Sequence, residues 1–154
     1  MTQNLDDTDK TLLNLLQDDC TLPLKTLAEH TGTSPATVQR RIGQLCQDKI
    51  ITKQVAIIDP VKVGQTLSVI VLVKMTQSSV SMQQRFERIS QHHSEIVACY
   101  EISGDYDFAL MVHSPSMQAY HAFTRAVLTA ENNVAHFNSQ FIMNFVKSST
   151  KITL

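Results

Sequence analysis

Two groups of side chains in this 154-residue chain have types and spacings suited to binding chemistry. The first is Thr37, Gln39, Arg40, Arg41 and Gln44, with Ser34 and Ala36 just before them and Lys53 beyond. A guanidinium presents a two-pronged fork to guanine or phosphate, glutamine can make a paired contact to adenine, and threonine offers a methyl and a hydroxyl to a groove. The second is Gly104-Asp105-Tyr106-Asp107, two carboxylates in a glycine-containing turn. Paired carboxylates raise the question of acid–base catalysis, but turns collect glycine and aspartate for backbone reasons alone. No nucleophile elbow, phosphate-binding loop, paired-histidine zinc motif or dinucleotide fingerprint accompanies them, so the chain is not expected to be an enzyme.

Other reactive residues carry less. Cys20, Cys46 and Cys99 are odd in number, far apart and without a CxxC pair, which signals neither a zinc cage nor a redox dithiol and suits a reducing cytoplasm. The six histidines show no metal spacing; His30 and His92-His93 fall at helix ends, where a cation suits the dipole. No metal and no bound cofactor is expected. The polar start, MTQNLDDTDK, lacks an apolar signal core, and the longest apolar run, Val69 to Val73, is too short for a bilayer. The expectation is a cytoplasmic protein without a membrane partner. A net charge of −1 excludes a wholly basic nucleic-acid coat protein but permits positive charge concentrated on one small surface.

The elements that must position these groups can be read from periodicity. Leu12, Leu13, Leu15 and Leu16 follow Asp6 and Asp9, which suit a helix start. A second helix opens near Pro23, carries Leu24, Leu27 and Ala28, and stops at Gly32. A third opens at Ser34-Pro35 and runs with Val38, Ile42 and Leu45 inward, which turns Thr37, Gln39, Arg40, Arg41 and Gln44 outward or sideways. The β-branched stretch Ile50 to Ile58 predicts a short strand or wing.

Beyond a linker at 59–65 the pattern becomes β-α-β-β-α-β. Strands are expected at Leu67–Met75, Val97–Ile102 and Phe108–His113, and helices at Ser81–His93 and Ser116–Leu128. A last strand alternates Phe137, Ser139, Phe141, Met143 and Phe145 against polar neighbours. That order is ferredoxin-like, two helices on one face of a four-stranded antiparallel sheet, with the other face free to meet a partner. The fold class is α+β, with domains at 1–58 (winged helix-turn-helix) and 66–154.

Two adjacent arginines on a helix are by themselves more often a solvated face than a reader of DNA. From Ser34 to Lys53 the bases are Arg40, Arg41, Lys49 and Lys53 against Asp48 alone, yet the first sixty residues carry more acids than bases. One copy would therefore bind DNA weakly, and assembly becomes part of the expectation.

The segment Leu27-Ala28, Gly32 through Ile42, Leu45 and Ile50-Ile51 resembles the Lrp/AsnC (feast/famine) helix-turn-helix. The opening Leu5-Asp6, Asp9, Leu12-Leu13, Leu16-Gln17 and Asp19, the stretch Ile58-Asp59-Pro60 and Gly64 fit too, so the resemblance runs in order along essentially the whole chain. It departs at Lys49, where the family usually has glycine, and at Thr21, where it often has arginine.

The resemblance implies that Gly104, Asp105, Tyr106 and Asp107 form the signature turn of a RAM/ACT-like effector domain. A small amino acid would bind there between subunits, its carboxylate on turn N–H groups and its ammonium on Asp105 or Asp107. The opposing wall would be Ala135, His136, Phe137 and Ser139, at a place where the family tends to have glycine-valine and this chain has Asn133-Val134. Phe137 either narrows the pocket, favouring an apolar ligand side chain, or belongs to the core.

The implied function is a sequence-specific transcription regulator whose assembly or DNA affinity responds to an amino acid. Its partners would be duplex DNA, the effector and copies of itself, as dimers and octamers of four dimers. The alternative of another class is an oligomeric amino-acid sensor that acts through protein contacts without specific DNA binding.

Overall fold

The computed structural model describes residues 5–77 and 79–154, which divide into two compact units. One comprises residues up to 57 together with 147–154; the other spans 58–146.

The helical unit contains α1 (Asp7–Asp18), α2 (Leu24–Thr31) and α3 (Pro35–Gln47). Asp6 caps α1, its carboxylate accepting the Asp9 N–H at 2.8 Å, and Ser34 caps α3 through the Thr37 N–H at 3.2 Å. Proline occupies the first position of α3, where no backbone donor is needed. Gly32 ends α2 with φ +63°, a left-handed exit that glycine adopts without a Cβ clash. Leu12, Leu27, Ala28 and Val38 form the core, with Leu15, Leu16, Leu22 and Ile42 packed around it. Of the inward row expected on α3, Val38 and Leu45 are buried and Ile42 is half-buried.

The end of α3 is a Schellman turn. The Ile50 N–H donates to the Leu45 carbonyl at 2.9 Å and the Lys49 N–H to the Cys46 carbonyl at 3.1 Å. This closure requires left-handed backbone at Lys49, which sits at φ +58°. The departure from glycine noted in the sequence thus falls on a position whose geometry favours glycine.

One expectation is corrected here. Residues 52–58 form neither strand nor wing among the described residues; they run without a ladder, with Val55, Ile57 and Ile58 exposed. Branched side chains favour extended backbone, but a strand also needs an edge to pair with, and this stretch finds none in the chain.

The second unit carries β1 (Leu67–Met75), α4 (Val80–His92), β2 (Ile96–Glu101), β3 (Phe108–Ser114), α5 (Met117–Val127) and β4 (Val134–Phe141). The sheet order is β2-β3-β1-β4 with every neighbouring pair antiparallel, the ferredoxin-like arrangement. Strand β1 alternates in burial as a two-faced strand should: Val69, Val71, Val73 and Met75 join Phe86 of α4 and Tyr120, Phe123 and Val127 of α5 in the core. On the opposite face Ile70, Leu72, Met111 and His113 stay half-buried.

Strand β4 starts earlier and ends earlier than its alternation suggests. It pairs with β1 from Met75 to Val69, and Met143 and Phe145 lie beyond that ladder, exposed. Among the described residues no helix is long and apolar enough to cross a membrane.

Candidate functional sites

On α3, Ala36, Gln39, Arg40, Gly43 and Gln47 are all exposed, at the i, i+3, i+4, i+7, i+11 spacing of one helix face. Arg40 makes no ion pair among the described residues, so its guanidinium is available. Gly43 was not among the residues singled out from the sequence. A Cβ there would meet nothing within 4 Å, so packing does not explain a glycine inside a helix, where it costs about 1 kcal/mol relative to alanine. What the glycine does give is a low point in the middle of the exposed row.

The remaining sequence candidates on this face are engaged within the unit. Arg41 donates through one Nη to Asp6 at 2.7 Å and Asp9 at 2.8 Å, tying α3 to the start of α1. Its hydrogen bonds to Asp9 and Asp6 push the Arg41 pKa up. The Asp6 carboxyl lies below the usual range, held there first by the Asp9 backbone N–H and then by Arg41. Gln44 donates to both Asp48 oxygens at 2.9 Å. Ser34 and Thr37 share a hydroxyl pair at 2.9 Å within the cap. Lys53 is exposed on the extended stretch after α3. Thr21, where the resembled family often has arginine, serves instead in a turn in which Asp19 accepts both its N–H and its hydroxyl.

The second site lies at the end of the sheet where β3 begins. Gly104 takes φ +116°, opening the turn. Asp107 is committed to the sheet: one carboxylate oxygen accepts the Met75 N–H at 2.7 Å, the other faces Lys74 Nζ at 3.4 Å, and the Asp107 N–H donates to Val73. Asp105 is exposed, and no partner for it is seen among the described residues. Tyr106 meets His136 edge to face with ring centres 5.8 Å apart, which brings the turn and the start of β4 together.

The wall expected from β4 is divided by strand alternation. His136 is opposite Lys74 and beside Tyr106, whereas Phe137 and Ser139 lie opposite Val73 and Val71 on the helix side. Ser139 is bonded to the Tyr120 hydroxyl at 2.6 Å; Tyr120 is raised in pKa by burial, against which this bond acts. Phe137 is 38% exposed, so it is not sealed in the core, and Ala135 is exposed.

Just before β4, Asn133 holds φ +64° and its side-chain amide both donates to the Gln77 carbonyl at 2.8 Å and accepts the Gln77 N–H at 3.1 Å. This anchor, which the sequence reading passed over, fixes the β4 entry to the end of β1. On the open face of the sheet, the Ser68 hydroxyl pairs with His113 Nδ1 at 2.8 Å, and burial lowers the His113 pKa.

Comparison with known proteins agrees with both halves. Residues 5–45 match the AsnC-type helix-turn-helix domain, and residues 68–152 match the Lrp/AsnC ligand binding domain. An HTH-type transcriptional regulator of Haemophilus influenzae is 49% identical over 152 residues, covering 99% of this chain and 90% of that one. The DNA-binding transcriptional activator DecR of Escherichia coli is 31% identical, over 97% of this chain and 99% of its own. A transcriptional regulator from Neisseria meningitidis, crystallised as an L-Met complex, superposes with a TM-score of 0.90 at 25% identity, covering 97% and 96% of the two chains. With more than half its length in the ligand-binding domain and a helix-turn-helix ahead of it, the chain belongs to the Lrp/AsnC family of transcription regulators.

Proposed function

We propose that this regulator reads duplex DNA with the exposed row of α3 and that an amino acid bound at the Gly104–Asp107 turn modulates its assembly or DNA affinity. The observation that carries the reading is the availability of Arg40 beside Gln39 on a capped, core-anchored helix, with Gly43 one turn further along. Arg40 would take guanine or phosphate and Gln39 a base edge, and Gly43 would let the helix backbone approach the groove floor. Lys53, Ser34 and Thr37 would serve the phosphates.

At the turn, Asp105 is the free carboxylate for an α-ammonium, and Tyr106 and His136 form the adjoining wall. The relative crystallised with L-Met makes methionine the first amino acid to titrate. Exposed Phe137 offers an apolar surface consistent with such a side chain.

Assembly through the open sheet face, where Ile70, Leu72 and Met111 are half-buried, would double the number of α3 helices presented to one operator. Octamers of four such dimers extend the same reading.

The test is a titration of the protein into labelled duplex from upstream of its own gene, with competitor DNA, at two salt concentrations, with and without methionine and then pooled amino acids. Specific binding that weakens with salt and moves with an amino acid supports the reading. Salt-sensitive binding that competitor DNA removes completely, from this and other upstream duplexes alike, overturns it.

A further inference from the structure

We infer that the C-terminal segment 147–154 is a strap docked on α1 that couples the ligand-binding domain to the DNA-binding helices; the inference rests on the proposed function. The chain passes between its two units twice, at 57–58 and again at 146–147, so the last eight residues return to the helical unit. There Gln17 of α1 and Ile152 form a reciprocal pair: the glutamine Nε2 donates to the Ile152 carbonyl at 3.0 Å, and the Ile152 N–H donates to Gln17 Oε1 at 2.7 Å. Lys151 adds an ion pair to Asp18 on the next residue of α1. Beneath the strap runs an apolar groove lined by Leu13 and Leu16 of α1 and by Ile51 and Val55.

This docking is specific but shallow. Ile152 remains 68% exposed, and the ion pair joins two solvent-accessible side chains, so the attachment belongs to the low-stability end of the fold. A segment held by two backbone-directed hydrogen bonds and one surface ion pair can release without unfolding either unit. Its other end continues from β4, the strand that carries Ala135, His136, Phe137 and Ser139. A ligand that shifts the start of β4 therefore has a route along the chain to the strap, through the Gln17–Ile152 hydrogen bonds to α1, and through the Asp6–Arg41 and Asp9–Arg41 bonds to α3. This identifies a bistable element, docked or released, that both sites can bias.

The experiment compares the full-length wild type with Gln17→Ala, which removes the acceptor and donor from α1, and Ile152→Pro, which removes the backbone donor while leaving α1 untouched. Amide hydrogen exchange reads the docking, and operator titration with and without an equimolar mixture of the twenty amino acids reads the coupling. The Ile152 amide should exchange about tenfold faster in Gln17→Ala than in the wild type. Both variants should keep ligand-free operator affinity within about twofold, while the affinity change on adding amino acids falls to roughly a third or less.

An Ile152 amide that exchanges at the unstructured rate in the wild type would overturn the docking. An undiminished amino-acid response in both variants would overturn the coupling. A wild type that binds its operator without any amino-acid response also overturns the coupling, and the exchange data then stand apart from it. A wild type with no specific operator at all removes the proposed function itself.

Discussion

The two candidate sites differ in how much of their chemistry the fold has already used. On α3 the charged residue at the centre of the exposed row, Arg40, has no intramolecular partner among the described residues, while its neighbour Arg41 is spent on holding α3 to α1. In the turn between β2 and β3, the better-placed carboxylate, Asp107, is spent on the sheet, and the exposed one, Asp105, is free. In each pair of like residues one builds and one is available. Residue type alone cannot separate them; hydrogen-bond commitment can.

The largest expected effect breaks the pair in the turn. Asp107→Ala removes the acceptor for the Met75 N–H and the partner of Lys74 in a half-buried setting, and should lower the stability of the sheet unit by about 2–3 kcal/mol. Urea titration followed by tyrosine fluorescence reads it, since Tyr100, Tyr106 and Tyr120 all lie in that unit. Asp105→Ala should change stability by less than about 0.5 kcal/mol and instead weaken amino-acid binding in calorimetry. If Asp107→Ala folds with unchanged stability, the division of labour between the two carboxylates is wrong.

The arginines supply the next contrast. Arg40→Ala should cost about 1–3 kcal/mol of operator affinity and leave the thermal midpoint where it was. Arg41→Ala should lower the midpoint of the helical unit, its DNA affinity falling only as far as α3 loses its support. Equal losses of affinity at equal stability would mean that Arg41 leaves its aspartates to meet DNA.

Acid separates the units in a different way. Because burial lowers the folded-state pKa of His113, the unfolded chain binds its proton more readily, and stability that is present above the ordinary histidine value declines as pH falls through and below about 6.5. Asp6 is depressed by the Asp9 N–H and Arg41, so its contribution is present above the ordinary carboxylate value and is lost only as pH falls below about 4. Tyrosine fluorescence should therefore report weakening of the sheet unit in a pH window where the backbone amides of α1–α3 keep their protection from exchange, and His113→Asn should flatten that window. Coincident transitions in the histidine range would remove the distinction.

Much of this was legible in the amino-acid order. Leu67–Met75 reads as a strand because its branched residues run unbroken, and Ser34-Pro35 fixes the start of α3 because a cap and a first-turn proline have few other uses. The exposed row of α3 followed from Val38 and Leu45 facing inward. Contacts distant in sequence were not legible: no local pattern tells that Arg41 reaches back 32 and 35 residues to Asp9 and Asp6, or that Gln17 meets Ile152. The expected strand at 50–58 failed for the same kind of reason, since branched residues define a preference and not a partner. Phe137 and Ser139 fell on the helix side once the register with β1 was set, which alternation alone could not anchor.

The smallest expected effect sharpens the comparison at two positions where the resembled family tends to have glycine and this chain does not. Both hold left-handed backbone, Lys49 at φ +58° and Asn133 at φ +64°. At Asn133 the strain is offset: asparagine tolerates this region better than most residues, and its amide replaces a ladder rung to Gln77 in both directions. Lys49 is exposed and makes no comparable side-chain bond among the described residues, so nothing seen there offsets the cost of left-handed backbone in its Schellman turn.

Glycine should therefore act with opposite signs at the two places. Lys49→Gly should stabilise the helical unit by about 0.5–1 kcal/mol, the relief of that cost exceeding the added freedom of the unfolded chain. Asn133→Gly should destabilise the sheet unit by about 1 kcal/mol, because two hydrogen bonds are lost for a backbone strain that was already small. Urea midpoints of the two variants decide it: stabilisation in both would show that backbone conformation outweighs the Gln77 anchor, and destabilisation in both would show that the turn at Lys49 holds no strain for glycine to relieve.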